Sequence, residues 1–253
     1  MRLQDKVIIV TGGGKGLGRV YSKGLAAEGA KVVIAEVDAQ AAARTADEIK
    51  SAGGAAQSIP TDVSNLDSVR ALVDQTAGEF DRIDVLVNNA ALFADLPSRA
   101  WQEITPDEWD QVMAVNMRGV FLCCQAVIPV MARSGGGSIV NVSSSTIING
   151  GRGSIHYTAS KAGVMGITRS FARQVGDLGV RVNTLAPGGT ASDTLMAAHD
   201  NDPSFFDRNV PLRSIKRWEQ PEDLLGTVIF LASDDSAFLT GQMIVVDGGK
   251  DFH

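Results

Sequence analysis

Cysteine is nearly absent from this chain: of 253 residues only Cys123 and Cys124 carry a thiol, side by side in an apolar helical stretch. Two such residues build neither a disulfide framework nor a zinc site, and they read as buried thiols. Histidine is as scarce. His156, His199 and His253 are the only ones and no G-x-S-x-G elbow accompanies them, which disfavours a serine hydrolase for want of an activating base. Positive charge is not in excess either: Lys and Arg number 23 against 29 Asp and Glu, a net charge of -6, so no basic footprint for nucleic acid or an anionic membrane is evident. Ahead of the first apolar run stand Arg2, Gln4, Asp5 and Lys6, and that run is shorter than a signal peptide's core. No stretch is read as a membrane span. A reducing, cytoplasmic setting is the resulting expectation. No linker or low-complexity segment divides residues 1–253, which are expected to form one domain.

What the chain does have is alternation. Apolar strand-like runs fall near residues 6–11, 31–36, 55–60, 83–88, 137–143, 179–185 and 243–246, and helical patterns near 17–29, 39–52, 65–79, 106–133, 155–177 and 221–233. This order predicts an α/β fold with a parallel sheet covered by helices on both faces, because parallel strands need right-handed crossovers. Ligands of such sheets bind beyond the strands' carboxyl ends. Gly12, Glu36, Asp62, Asn88 to Ala91, Ser143 to Ser145 and Pro187 to Thr190 all follow predicted strands and should converge on one rim.

The first of these turns is T-G-G-G-K-G-L-G, Thr11 to Gly18, between the run Val7-Ile8-Ile9-Val10 and a helical pattern through Val20, Leu25 and Ala26. Strand, Gly-rich turn and helix N-terminus together make an anion site, since unpaired N–H groups and the helix dipole face the phosphate. Gly12, Gly16 and Gly18 are its spaced glycines. Lys15 is not followed by Ser or Thr, which argues against a Walker A P-loop. Taken alone, the turn is also compatible with a tight strand-to-helix connection.

Tyr157 and Lys161 stand four residues apart on a predicted helix, so both side chains leave the same face, and Ser144 lies thirteen residues upstream of Tyr157. An ammonium beside a phenol favours the phenolate, and a phenol that otherwise titrates at about 10 then becomes a general acid or base.

With these residues the chain resembles the short-chain dehydrogenase/reductase family over Lys6 to Gly249. The resemblance rests on T-G-x-x-x-G-x-G, Asp62-Val63, Asn88-Asn89-Ala90, Asn116, Ser144, Tyr157-x-x-x-Lys161, Asn183, Pro187-Gly188, Leu239 to Gln242 and Val246 to Gly249. It implies a doubly wound, seven-stranded, Rossmann-like parallel sheet in a single domain, and a catalytic set of Asn116, Ser144, Tyr157 and Lys161. Tyr157 would move the proton to or from the substrate oxygen, Ser144 would hold that oxygen, and Lys161 would lower the Tyr157 pKa and bind the cofactor ribose. Asn116 would order a water that links Lys161 to solvent; read alone, it is more simply a helix residue with a local backbone bond. Strand alternation puts Ser143 and Ser145 on the side away from Ser144. The cofactor set implied is Gly12, Lys15, Gly16, Leu17, Gly18, Glu36, Asp62, Val63, Asn89, Ala90, Tyr157, Lys161, Pro187, Gly188 and Thr190, with no metal. Two departures are Ala91, where the family often has Gly, and Ser192, where it usually has Thr.

Glu36 ends the second strand, where a carboxylate accepts from ribose hydroxyls and repels a 2′-phosphate, which favours NAD over NADP. Asp38 is placed to share that role, whereas Lys15 either attracts such a phosphate or faces solvent. Asp62 and Val63 resemble the family's adenine pair, though Asp62 is also placed to cap the helix beginning near Asn65. Leu92, Phe93 and Leu96, with Leu195, Met196, Phe205 and Phe206 in an expected lid around 189–217, suggest an apolar pocket for a secondary alcohol or its ketone with an alicyclic or aromatic body. Arg152 reads as a carboxylate-recognising or a solvated loop residue, and His156 as a pocket or helix-start residue. The alternatives are an NADPH-dependent 3-oxoacyl-type reductase and a non-catalytic nucleotide sensor. The apolar face through Val120, Phe121, Leu122 and Ala126 and the C-terminal strand reads either as ordinary monomer core or as a surface buried between subunits, and the resemblance implies a homotetramer.

Overall fold

The computed structural model describes residues 1–94, 96, 100–151 and 155–252. Seven strands form one parallel sheet in the order β3-β2-β1-β4-β5-β6-β7. They are β1 (Val7–Thr11), β2 (Lys31–Glu36), β3 (Ala55–Pro60), β4 (Val85–Asn88), β5 (Gly137–Val142), β6 (Val180–Pro187) and β7 (Met243–Val246). The central runs carry apolar residues at consecutive positions because both faces are covered. Ile9, Val33, Leu86, Ile139 and Val182 point to one face, packed on α3 (Leu66–Phe80), α5 (Gly119–Arg133) and α7 (Ile155–Val175). Ile8, Val10, Val32, Val85 and Val140 point to the other, packed on α1 (Gly16–Ala27), α2 (Ala39–Ser51) and α10 (Pro221–Ala232). The order reverses between β1 and β4, which opens a crevice above Thr11 and Asn88.

The expected helix over 106–133 is interrupted. It comprises α4 (Pro106–Met113), a π turn at Ala114–Arg118 and α5, the Gly119 N–H reaching back to the Ala114 carbonyl. Gly119 permits this approach, for a Cβ there would lie 2.9 Å from Val63 Cγ2. The same stretch does reach the length and mean hydropathy (1.5) of a membrane-spanning helix, contrary to expectation, and half of that window is buried within the fold. Cys123 and Cys124 lie on its buried side, and burial pushes the Cys123 thiol up to about 12.

Three short helices were not legible as periods: α6 (Thr146–Asn149), α8 (Asp193–Ala198) and α9 (Ser204–Asp207). The cap of α3 is also a correction. Asn65 Oδ1, not Asp62, accepts from the N–H groups of Asp67 (2.9 Å) and Ser68 (3.1 Å).

Candidate active site

The crevice above the strand reversal continues as a cleft of ≈ 720 Å³. Its floor is the turn between β1 and α1. Gly12 (φ 62°) and Gly16 (φ 53°) hold left-handed backbone, and a Cβ on Gly18 would lie 2.0 Å from the Gly12 carbonyl oxygen. The turn is fastened to β4 by Asn89, whose side-chain amide donates to the Thr11 and Gly12 carbonyls (both 3.1 Å), and by Thr11 Oγ1, which accepts from the Asn89 and Ala90 N–H groups (3.0 and 3.1 Å). Lys15, the N-cap of α1, gives no side-chain cap, and Gly16 and Leu17 of the first turn line the cleft. A cradle that excludes a Cβ, at a helix N-terminus, fits a dinucleotide pyrophosphate.

Glu36 stands at one end of this floor and accepts from the Gly14 N–H (3.2 Å) and Asp38 N–H (3.3 Å). Lys15 is not a free cation. Its Nζ lies 2.6 Å from Asp38 Oδ2, and that contact, with the Ala41 and Gln40 N–H groups, holds the Asp38 carboxyl down at about 2. Asp62 also lines the cleft, with Oδ1 accepting from the Ser64 N–H (2.9 Å) and hydroxyl (2.7 Å), and Val63 beside it is buried.

At the other end stand Tyr157 and Lys161, both buried on α7, and Ser144 just past β5. Burial pushes the Tyr157 phenol well above its ordinary value, against a hydrogen bond from Ser144 that lowers it. Burial likewise lowers the Lys161 ammonium to about 8. The expectation that Lys161 depresses the phenol is therefore not met in this structure. Its Nζ donates to the Val142 carbonyl (2.8 Å) and stands 5.7 Å from the Tyr157 ring centroid, where its charge does not offset the desolvation of the phenol. The serine run lies beyond the last residue of β5, so strand alternation does not set it. Ser143 nevertheless sends its hydroxyl away from Ser144's partner, to the Lys161 carbonyl (2.8 Å).

Asn116 is fully buried below this set. Its Oδ1 accepts from the Leu92 N–H (2.7 Å), and its Nδ2 donates to the Leu92 carbonyl (3.1 Å) and Ser160 Oγ (3.2 Å). It thus straps the segment after β4 to α7. Beneath the cleft a buried polar chain links the sheet to the same helix: Asn88 Nδ2 to Asn141 Oδ1 (2.9 Å), Asn141 Nδ2 to Thr168 Oγ1 (2.9 Å), and Thr184 Oγ1 to Thr168 Oγ1 (2.8 Å).

Pro187, Gly188, Thr190 and Ser192 form the remaining wall, and Ser192 caps α8 by accepting from the Leu195 N–H (3.3 Å). Asp193 at the start of α8 accepts from the Gly16 N–H (3.0 Å), a contact between this wall and the floor. Of the expected apolar lining, Leu92, Phe93 and Leu195 face the cleft, and the Phe93 ring lies 4.6 Å from that of Tyr157. Leu96, Met196, Phe205 and Phe206 are not among the described residues that line it. Phe206 is buried and packs on Phe205 and Trp218, so it supports the wall from behind. Ala91 lines the cleft from an exposed position. His156 turns away, with Nε2 3.1 Å from Glu108 Oε1. Arg152 lies outside the described residues.

Every expected cofactor or catalytic position but Gly18 and Asn116 lines the cleft; those two sit beneath the floor and hold it. Sequence reasoning named Thr11 only as the start of the glycine motif and missed Thr194 and the buried Glu219, whose contacts are long-range and carry no local signal. Among the described residues no cluster of His, Cys, Asp and Glu suits a metal ion.

Known proteins resemble this chain over nearly its whole length. A family model described as enoyl-(acyl carrier protein) reductase matches residues 12–251. The short chain dehydrogenase/reductase astE of Aspergillus oryzae is 41% identical, over 98% of this chain and 95% of its own. The 3-oxoacyl-[acyl-carrier-protein] reductase FabG of Thermotoga maritima is 35% identical, over 98% and 99%. The crystal structure of levodione reductase superimposes with a TM-score of 0.92 at 32% identity, over 98% of both chains.

Proposed function

The chain belongs to the short-chain dehydrogenase/reductase family of oxidoreductases, and from that premise we propose that it interconverts a secondary alcohol and its ketone, with NAD(H) as hydride carrier. The observation that carries this reading is the placement of Tyr157, Lys161 and Ser144 together at the end of a glycine-floored cleft. The dinucleotide, when bound, supplies or accepts the hydride. Gly12, Gly16 and Leu17 would hold its pyrophosphate, Glu36 its adenosine ribose, Asp62 and Val63 its adenine, and Lys161 its second ribose through the N–H donors not given to Val142.

Ser144 directs a hydroxyl at the place where substrate oxygen meets Tyr157, and Tyr157 gives that oxygen a proton in reduction or takes it in oxidation, a transfer worth about 10² to 10⁴ in rate. Burial keeps the phenol protonated until a partner shares its proton, which suits the acid role. Leu92, Phe93 and Leu195 give that end an apolar lining that favours an apolar body, alicyclic or aromatic, on the substrate. The segment 189–217 is its lid in this reading.

Glu36 supports NAD over NADP, and the pairing of Lys15 with Asp38 removes the one cation that argued otherwise. The likeness to the Thermotoga reductase favours a second reading, an NADPH-dependent 3-oxoacyl reductase. Half-exposed Phe121, whose ring stacks on Phe171 (5.9 Å), supports burial of that face in a homotetramer, and two unpaired thiols support a reducing, cytoplasmic setting. Nicotinamide absorbance with NAD⁺ or NADP⁺ and a panel of apolar secondary alcohols tests the reading. Turnover with NAD⁺ is expected; turnover with NADP⁺ alone overturns the cofactor assignment and favours the acyl reductase, and silence with both removes the proposal.

A further inference from the structure

Glu219 and Arg213 form an ion pair (3.2 Å) whose side chains are 4% and 1% exposed, and neither touches the proton-transfer set. Both are committed to one short piece of backbone. Glu219 Oε1 accepts from Thr190 Oγ1 (2.7 Å) and the Gly188 N–H (3.2 Å), and the Glu219 carbonyl accepts from the Ala191 N–H (2.8 Å). Arg213 Nη2 donates to the Gly189 carbonyl (2.8 Å) as well as to Glu219 Oε2. Its other nitrogens anchor the clamp, Nε on the Asp247 carbonyl and Nη1 on the Arg217 carbonyl (3.1 Å each). Four consecutive residues of the cleft wall, Gly188 to Ala191, are thus held by one buried pair. The fit is close: a Cβ on Gly188 would lie 2.5 Å from Glu219 Oε2.

A buried ion pair is a poor device for stability alone, because the desolvation of both charges offsets most of their attraction. Here the pair fixes the wall against which the family's dinucleotide rests. We infer that Glu219, clamped by Arg213, is a positioning residue that sets the Gly188–Ala191 wall for dinucleotide binding. This rests on the proposed nicotinamide chemistry and names a part of that site.

The carboxylate acts here as an acceptor only. Gly188 N–H, Thr190 O–H and Arg213 N–H all donate to it, so a proton on Glu219 would set a donor against Arg213 or Gly188. The groups facing it are Arg213, Arg217 on its own segment, Asp247 beyond β7, Thr190 from the wall and Tyr21 from α1. Burial outweighs the cations and pushes the Glu219 carboxyl up to about 7. The group is therefore ionised above that pH and protonates as pH falls through it.

The test compares NADH affinity, by ligand fluorescence, in wild type, Glu219→Gln and Thr190→Val at about pH 8 and about pH 6, with amide exchange of the cofactor-free proteins. Wild type should bind about tenfold tighter than Glu219→Gln at the higher pH, the ratio expected for a lost charge-assisted hydrogen bond, and the ratio should shrink toward one at the lower pH. Exchange at 188–191, corrected for intrinsic rates, should quicken in Glu219→Gln while β1, β4 and β5 stay protected. Thr190→Val keeps the ion pair, so it reports on the clamp even if Glu219→Gln folds poorly, and it should bind NADH several-fold more weakly. Equal affinities in wild type and the folded variants at both pH values, with unchanged exchange, would overturn the inference alone. A wild type that binds neither NADH nor NADPH would overturn the proposed function and this inference with it.

Discussion

Lys161→Met should make the protein more stable at neutral pH while removing its activity. Lys161 is 3% exposed, and burial lowers its ammonium from 10.5 to about 8. At about 1.4 kcal/mol for each pH unit, carrying the charge in the folded state costs about 3.5 kcal/mol at neutral pH. Loss of the charge-assisted N–H bond to the Val142 carbonyl returns about 1.5 kcal/mol of that, leaving the Met variant about 2 kcal/mol more stable. Below pH 8 both folded and unfolded wild type hold the proton, so the penalty is present in full. Between 8 and 10.5 the unfolded chain keeps a proton that the folded one has shed, and wild-type stability rises with pH relative to the variant. The gap should close across that window and reverse slightly near its top. Urea unfolding followed by fluorescence of Trp101, Trp109 and Trp218, at one protein concentration from about pH 7 to about pH 10, measures it. A gap that stays constant, or a wild type that is the more stable at neutral pH, would refute the reasoning.

Gly18→Ala puts a methyl group 2.0 Å from the Gly12 carbonyl oxygen, and it should destabilise by about 3 kcal/mol and abolish dinucleotide binding, as read by thermal unfolding and NADH fluorescence. Asn116→Leu leaves the part-buried N–H and carbonyl of Leu92 without their side-chain partners. A loss of about 3 kcal/mol in urea unfolding is expected, with reduced turnover, and wild-type stability would contradict the strap assigned to it. Glu36→Ala removes the carboxylate at the ribose end and should shift the ratio of NADP⁺ to NAD⁺ efficiency by about tenfold or more toward NADP⁺; an unchanged ratio would show that Glu36 does not discriminate.

The sheet was legible because its central strands β1, β2 and β4 are buried on both faces and read as apolar runs, and β3 and β7, which are only partly buried, fall at the regular spacing those runs set. β2, β3 and β7 lie where those runs were placed, and β6 runs two residues past its expected end, to Pro187, whose missing N–H suits a strand terminus. The glycine floor was legible for a different reason: a positive φ and a 2.0 Å clearance leave a mark on residue type. What escaped is non-local. The π turn brings Asn116 to Leu92 and is followed by Gly119 close against Val63, long-range contacts that leave no mark on the helical period around them. Phe205 and Phe206 were expected in the substrate pocket because they are apolar and near it in sequence. Phe206 is instead buried against Trp218, and Phe205 stacks on His199 and meets Phe206 edge-on, contacts set by the fold of the 199–218 segment. The direction of the Tyr157 shift was misjudged because spacing shows that Lys161 is near but not that both groups are buried.

The most direct test of the account is single-turnover hydride transfer in Tyr157→Phe beside wild type, with NADH affinity measured on the same samples. Wild type should reduce NAD⁺ with a secondary alcohol, and the variant should keep its fold and NADH affinity while losing the transfer by about 10² to 10⁴. Transfer at the wild-type rate in the variant would contradict the role given to the phenol, and with it the central claim.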